Sequence, residues 1–215
     1  MGRPTKHDER SRHAVLDAAE ALLAAGGPEA VTVRAVAAEV GESTRVVYSQ
    51  FASMAALMGS LGARGFQTVA DLVNQGPTTD DPLDDLVEVG ASGFRRYAID
   101  YPHLFRITFH QISSEITQQP DAREALQAAY ASLAARFERA IDRGALPERP
   151  VIEYAFAFHS FTSGLAANEL SMQPPPVGAG FWTMAHDVDM STLWRSAIGS
   201  FVRGLADSER TGASD

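Results

Sequence analysis

Apolar residues recur along this chain at three- and four-residue intervals, and no β-pattern of any length interrupts them. Val15, Ala18, Ala19, Leu22 and Leu23 mark a first helix from about Asp8 to Ala25, closed by Gly26-Gly27-Pro28. Val33, Val36, Ala37 and Val40 fall at i, i+3, i+4 and i+7 behind Thr32, whose hydroxyl is placed to cap the segment. Gly41 supplies a turn, where positive φ costs glycine little. Ser43 is the expected cap of a third segment, with Val46, Val47 and Phe51 inward. Ala37 and Ala38 are small enough to let the second and third segments cross closely.

The pattern continues past Ser53, which caps a fourth helix to about Asn74 with Leu57, Met58, Leu61, Val69 and Leu72 on its inner side. Gly59, Gly62 and Gly65 in its middle each cost about 1 kcal/mol of helix propensity against alanine, so they point to close packing, a bend or motion. A loop over 76–82 precedes a periodic helix carrying Leu83, Leu86, Val87, Phe94, Tyr97 and Tyr101. Pro102, Pro120 and Pro150 each open a further helix, and a last one runs from about Ser191 to Ala206. Between the last two, Gln173 to Gly180 reads as a polyproline-like loop. The sum is an all-α chain of about nine helices.

The helix opened by Pro150 is apolar on two sides, one stripe through Val151, Ala155, Phe158 and Thr162, the other through Ile152, Phe156, His159 and Ala166. A helix apolar all round is buried all round, in the fold's centre or between a cavity and a partner subunit. In the last helix Leu193, Trp194, Ala197, Ile198, Phe201 and Leu205 form a stripe too wide to leave exposed on a soluble monomer, which predicts a homodimer.

Helix, glycine turn and second helix over Thr32–Phe51 have the layout of a helix-turn-helix, whose second helix enters a DNA major groove. The same layout occurs as plain structure in many helical proteins. Here the second helix exposes Thr44, Arg45, Tyr48, Ser49 and Gln50, all able to hydrogen-bond. The run Gly41 to Leu57, G-E-S-T-R-V-V-Y-S-Q-F-A-S-M-A-A-L, resembles the DNA-binding signature of the TetR-type one-component transcriptional regulators. Gly41, Ser43, Val47, Tyr48, Phe51, Ser53 and Leu57 match that signature, whereas Glu42 replaces an apolar turn residue and Met54 replaces a lysine that helps hold a phosphate.

The resemblance implies a helix-turn-helix DNA-binding domain over 1–52 and a larger helical ligand-sensing and dimerisation domain over 53–215. It implies a repressor, released from an inverted-repeat operator by a small molecule. Thr32, Arg34, Thr44, Arg45, Val46, Tyr48, Ser49, Gln50 and Ser53 are the expected DNA contacts, Thr44 and Arg45 toward bases, Tyr48 and Gln50 toward phosphates. Arg3 and Lys6 in the basic N-terminal arm are expected on the DNA backbone or minor groove. By the same resemblance, the last two helices pair across a two-fold axis.

Composition adjusts this picture without redirecting it. The 215 residues are 45% hydrophobic and 21% charged, ordinary for a globular protein. The net charge of −9 suits DNA poorly until divided: residues 1–51 hold six Lys/Arg against seven Asp/Glu, and 52–215 hold twelve against twenty. The absence of cysteine excludes disulfides, thiolate nucleophiles and Cys-ligated zinc, and a cytoplasmic, non-membrane protein is expected. No phosphate loop, H-E-x-x-H or G-x-S-x-G elbow occurs, so no enzyme, cofactor or metal site is expected.

Phe94, Tyr97, Phe105, Phe109, Tyr130 and Phe156, with His110, His159 and Thr162 as sparse polar groups, are the candidate lining of a pocket for a mostly apolar effector. The same residues could form a filled core. A non-inducible DNA-binding protein, or a helical binding module or enzyme with a merely structural N-terminal motif, are the alternatives.

Overall fold

The computed structural model describes residues 6–110, 114–171 and 189–208, and every regular element among them is helical. α1 (Lys6–Gly26) and a 3-10 turn (Pro28–Ala30) lead to α2 (Val33–Glu39), α3 (Thr44–Gln50) and α4 (Met54–Gln75). α5 (Pro82–Glu88) runs through a π-helical turn, Val89–Phe94, into α6 (Arg95–Asp100). Then come α7 (Pro102–Phe105), a second π turn (Arg106–His110), α8 (Ser114–Gln118) and α9 (Pro120–Asp142). α10 (Val151–Ser171) and α11 (Met190–Asp207) close the chain. The all-α expectation holds, with the short α8 as an element that periodicity did not mark. The expected loop at Gln173–Gly180 lies outside the described residues.

The chain divides into two compact units, one from Met1–Phe66 and His103–Leu126, the other from Gln67–Pro102 and Gln127–Asp215. In the first, Ala19, Leu23, Val36, Val47, Phe51, Leu57 and Leu61 are buried together. Two glycines of α4, Gly59 and Gly62, make room for the stretch around α8. A methyl group at Gly62 would stand 2.5 Å from Ile116 Cγ2, and one at Gly59 would collide with the stem of Gln119. Ion pairs border this core: Arg64 reaches Asp17 (2.8 Å) and Glu20 (2.5 Å), and His103 Nε2 meets Glu20 at 3.1 Å.

In the second unit Phe137 stacks on Tyr154 (5.7 Å between centroids) and meets Phe158 edge-on (5.6 Å). Glu169 is buried but paired: Arg95 donates to it twice, at 2.9 and 2.6 Å, and the Trp194 indole donates at 2.8 Å. That bidentate pair raises the Arg95 pKa further and joins α6, α10 and α11. Asp81 caps α5 through the amides of Leu83 (3.0 Å) and Asp84 (3.1 Å), with Pro82 at the first helical position. Buried Asp85 accepts from the Thr79 amide (2.8 Å) and from Arg139 (2.6 Å). Burial alone would push its carboxyl up, but these donors outweigh burial and hold it below the usual carboxylate range. Arg136 donates to the carbonyls of Val73 (2.7 Å), Asn74 (3.2 Å) and Gly76 (3.0 Å), adding a cationic donor at the carbonyl end of α4.

The apolar stripes of α10 and α11 divide between the protomer's interior and its surface. Ile152 and Phe156, on the second stripe of α10, are 55% and 68% exposed in the protomer, so nothing within this chain's described residues covers that stripe. Trp194 and Ile198, expected at a subunit interface, are fully buried within the protomer's own second unit. Leu193 on the same helix remains exposed, while Ala197, Phe201 and Leu205 are half-buried.

Candidate nucleic-acid interface

The helix-turn-helix is assembled by local hydrogen bonds that its residue types dictate. Thr32 Oγ1 accepts from the Ala35 amide at 3.1 Å and caps α2. α2 ends where Gly41 adopts φ 68°, which lets the Glu42 amide reach back to the Ala37 carbonyl at 2.9 Å. Ser43 occupies the cap position of α3, but its side chain makes no capping hydrogen bond; its carbonyl accepts from the Val46 amide at 3.0 Å. Ser53 Oγ accepts from the Ala56 amide at 3.1 Å and starts α4.

These caps present α3 with one side buried and one side in solvent. Val47 and Phe51 sit in the core, whereas Thr44, Arg45, Tyr48 and Ser49 are exposed, Tyr48 to 54%. This face therefore carries hydroxyl and guanidinium groups able to hydrogen-bond. Ser49 spends its hydroxyl proton on the Val46 carbonyl (2.7 Å), leaving its oxygen as an acceptor. Val46 and Gln50 are half-buried; Thr32 and Arg34 are exposed at and near the start of α2, and Ser53 is exposed. Among the described residues neither Arg34 nor Arg45 makes an ion pair, so both charges remain available. Arg3 lies outside the described residues, as does the side chain of Lys6.

Arg12, by sequence one of the basic residues of the N-terminal arm with Arg3, Lys6 and Arg10, makes specific contacts within the unit. Its guanidinium donates to the Gln50 carbonyl at 2.7 Å and lies over the Phe51 ring, 4.1 Å from the centroid. The signal was present: Arg12 precedes Val15 by three and Ala19 by seven, which places a cation in line with the buried stripe of α1.

The candidate effector residues separate into groups. In the second unit Phe94 meets His159 edge-on (6.0 Å) and Tyr97 (6.4 Å), while Thr162 satisfies its hydroxyl on the Phe158 carbonyl (2.9 Å). Burial lowers the His159 pKa, so the ring is neutral at pH 7. Phe105 and Phe109 pack on each other (6.1 Å) in the first unit, with Phe109 edge-on to Phe66 (5.7 Å). Tyr130, 39% exposed, and Phe156 lie on the surface, and the side chain of His110 is outside the described residues. A groove of about 360 Å³ in the first unit is lined by Pro28, Glu29, Val31, Met54, Ala55, Met58, Ile107, Glu115 and Ile116. It holds none of the candidate effector residues. No single helix among the described residues is long and apolar enough to cross a membrane.

Residues 15–61 match the model of bacterial regulatory proteins of the tetR family. No curated protein sequence matches the chain. Among solved structures, a protein of unknown function from Rhodococcus sp. RHA1 is similar over 91% of this chain and 95% of its own, with TM-score 0.71 and 18% identity. A putative tetR family transcription regulator from Shewanella sp. PV-4 gives TM-score 0.66 at 18% identity, covering 89% and 95%. The transcriptional regulator FadR from Bacillus subtilis, solved in complex with stearoyl-CoA, gives TM-score 0.67 at 16% identity, covering 90% and 98%. At such identities the likeness is one of fold. With the helix-turn-helix built as described inside the matched segment, residues 15–61 are similar to the tetR family of bacterial regulatory proteins, and the chain shares the all-helical fold of these solved structures.

Proposed function

We propose that this chain is a transcriptional regulator that binds an inverted-repeat operator as a homodimer, represses from it in the cytoplasm, and leaves it when a small, mostly apolar effector binds. One observation carries the reading: within the tetR-type segment, Val47 of α3 and Phe51 just after it are buried, while Thr44, Arg45, Tyr48 and Ser49 turn to solvent. Thr44 and Arg45, at the start of α3, are the base-reading pair, because the first turn of a recognition helix goes deepest into the groove. Tyr48 and Gln50 hold phosphates, with Thr32, Arg34 and Ser53 flanking. Residues 1–52 form the DNA-binding part in this reading, and 53–215 form the sensing and dimerising part.

The dimer reading is supported by Ile152, Phe156 and Leu193, large apolar side chains left in solvent on α10 and α11. The effector reading is supported by the aromatic and histidine cluster at Phe94, Tyr97 and His159, and by the same fold in Bacillus subtilis FadR, whose structure holds an acyl-CoA. Ligand can drive release only through a difference in its affinity for the DNA-bound and free states.

The test is selection of duplexes from a randomised pool, followed by affinity measurement on the enriched sequence and a scrambled control. Arg45→Ala should cost about 1–3 kcal/mol on the enriched sequence and erase preference at one base position. Tyr48→Phe should weaken both duplexes equally, because a phosphate carries no sequence information. Enrichment of no sequence, or an Arg45→Ala protein with intact preference, overturns the reading.

A further inference from the structure

We infer that Arg12 is a positioning residue for α3, and that Asp121 makes its hold on that helix depend on the start of α9; the inference rests on the DNA-binding reading of α3. The guanidinium is a rigid fork, and both prongs are occupied. Nη1 donates to the Gln50 carbonyl at 2.7 Å, the last residue of α3. Nη2 donates to Ser60 Oγ on α4 at 3.1 Å and to Asp121 Oδ2 at 3.3 Å, one residue into α9. Ser60 Oγ in turn donates to the same Asp121 oxygen at 3.3 Å, and the guanidinium lies over the Phe51 ring. One side chain on α1 therefore touches the end of α3, the residue that follows it, α4 and α9.

Each contact has a distinct consequence. α3 is only seven residues long, so its final carbonyls have no partner inside the helix. Val47 and Phe51 fix how deep α3 sits, yet two apolar anchors four residues apart still allow it to roll about its axis. The bond from Arg12 to the Gln50 carbonyl blocks that roll, and the roll angle aims Thr44, Arg45 and Tyr48. Three of the five guanidinium N–H groups are committed to Gln50, Ser60 and Asp121, so the side chain is directed toward the protein. The pair with Asp121 is exposed (41% and 59% for the two side chains), so it contributes little to stability by itself. Its role is to set where the guanidinium stands. Gln119 and Ile116, lodged against Gly59 and Gly62, fix the same stretch of chain against α4, and the guanidinium ties the start of α9 to the end of α3.

Asp121 supplies a test by sign. Removing an exposed negative charge from a DNA-binding unit strengthens binding if only long-range charge matters. If Asp121 positions Arg12, removing it weakens binding instead. The duplex enriched by the wild-type protein is the probe, measured across a salt series with wild type, Arg12→Gln, Asp121→Ala and the double variant. Arg12→Gln should lose about tenfold in affinity, as for a hydrogen bond from a charged group. Its salt slope should stay unchanged, whereas loss of a phosphate contact lowers that slope by about 0.9. Asp121→Ala should lose about threefold, the scale of an exposed ion pair, and the double variant should be no weaker than Arg12→Gln alone.

Tighter or unchanged binding by Asp121→Ala, a salt slope lowered by about one in Arg12→Gln, or additive losses each overturn the inference. Should Arg12→Gln melt at the assay temperature, the sign of Asp121→Ala still decides, since that side chain is 59% exposed. Failure of the wild type to enrich any duplex would instead defeat the DNA-binding reading itself.

Discussion

Replacing Gly62 with alanine sets two known effects against each other, and the geometry decides the sign. Helix propensity favours alanine by about 1 kcal/mol in the middle of a helix such as α4. The added methyl, however, would stand 2.5 Å from Ile116 Cγ2, where carbon atoms prefer about 3.5–4.0 Å. Ile116 is itself buried and has little room to withdraw. Overpacking of this kind costs about 1–3 kcal/mol, so the net result should be a loss of about 1 kcal/mol, or a fall of about 2–4 °C in melting temperature.

The other neighbours, Ala122 Cβ at 3.8 Å and Ile116 Cβ at 3.9 Å, are at ordinary contact distance. One methyl group on Ile116 is thus the whole obstacle. In an Ile116→Ala background, Gly62→Ala should become stabilising by about 1 kcal/mol. In an Ile116→Val background, which keeps Cγ2, it should remain destabilising. Urea unfolding followed by helical circular dichroism measures all six proteins on one scale. A higher midpoint for Gly62→Ala alone, or the same sign in both backgrounds, refutes the packing argument and returns this glycine to the role of a flexible joint.

Two further outcomes are expected. Asp85 has a lowered folded-state pKa, so its stabilisation is complete above the ordinary value of 3.8 and disappears as pH falls through the folded value; Asp85→Asn should cost about 1–3 kcal/mol at pH 7, with the gap closing on acidification, and a gap independent of pH in urea titrations contradicts this. Phe156→Glu should leave the protomer's thermal unfolding intact and abolish dimers in sedimentation, whereas Phe201→Glu should damage the protomer itself, because Phe201 stacks on Phe161 at 4.6 Å; an unchanged dimer in Phe156→Glu moves the interface elsewhere.

The legible parts of this chain are those whose physics is local. The Thr32 cap, the Gly41 turn and the buried Val47 and Phe51 depend on residues within a few positions, and period and capping chemistry found them. What escaped depends on a distant partner. The glycines of α4 admitted packing, bending or motion, and the choice needed α8, five residues long and too short to display a helical period. Trp194 and Leu193 belong to one apolar stripe, yet one is sealed inside the protomer against Glu169 and the other is open. An apolar stripe reports a need for cover and is silent about whose cover it is. Arg12 escaped for the converse reason: a basic residue near a basic terminus invites assignment to the arm, although its place in the buried stripe argued for a specific partner.

The π turn between α5 and α6 has a consequence for how the length of this segment can vary. A π turn is an α-helix with one surplus residue, looped out without interrupting the rod. At Val89–Phe94 the surplus sits where Gly90 faces Ile198 and Phe158 and Gly93 faces the Leu72 carbonyl, contacts too close for a side chain at Gly90. Upstream and downstream faces therefore differ in phase by one residue, about 100° of helix rotation. A deletion within 89–94 that spares the two glycines turns the π turn into an α turn and leaves both flanking helices whole. The same deletion within α10 would rotate Phe158 and Thr162 away from Tyr154 and Ala155 and scatter their shared face. Relatives that differ by a single residue in this rod should carry the difference here, in a segment that looks as rigid as the helices on either side.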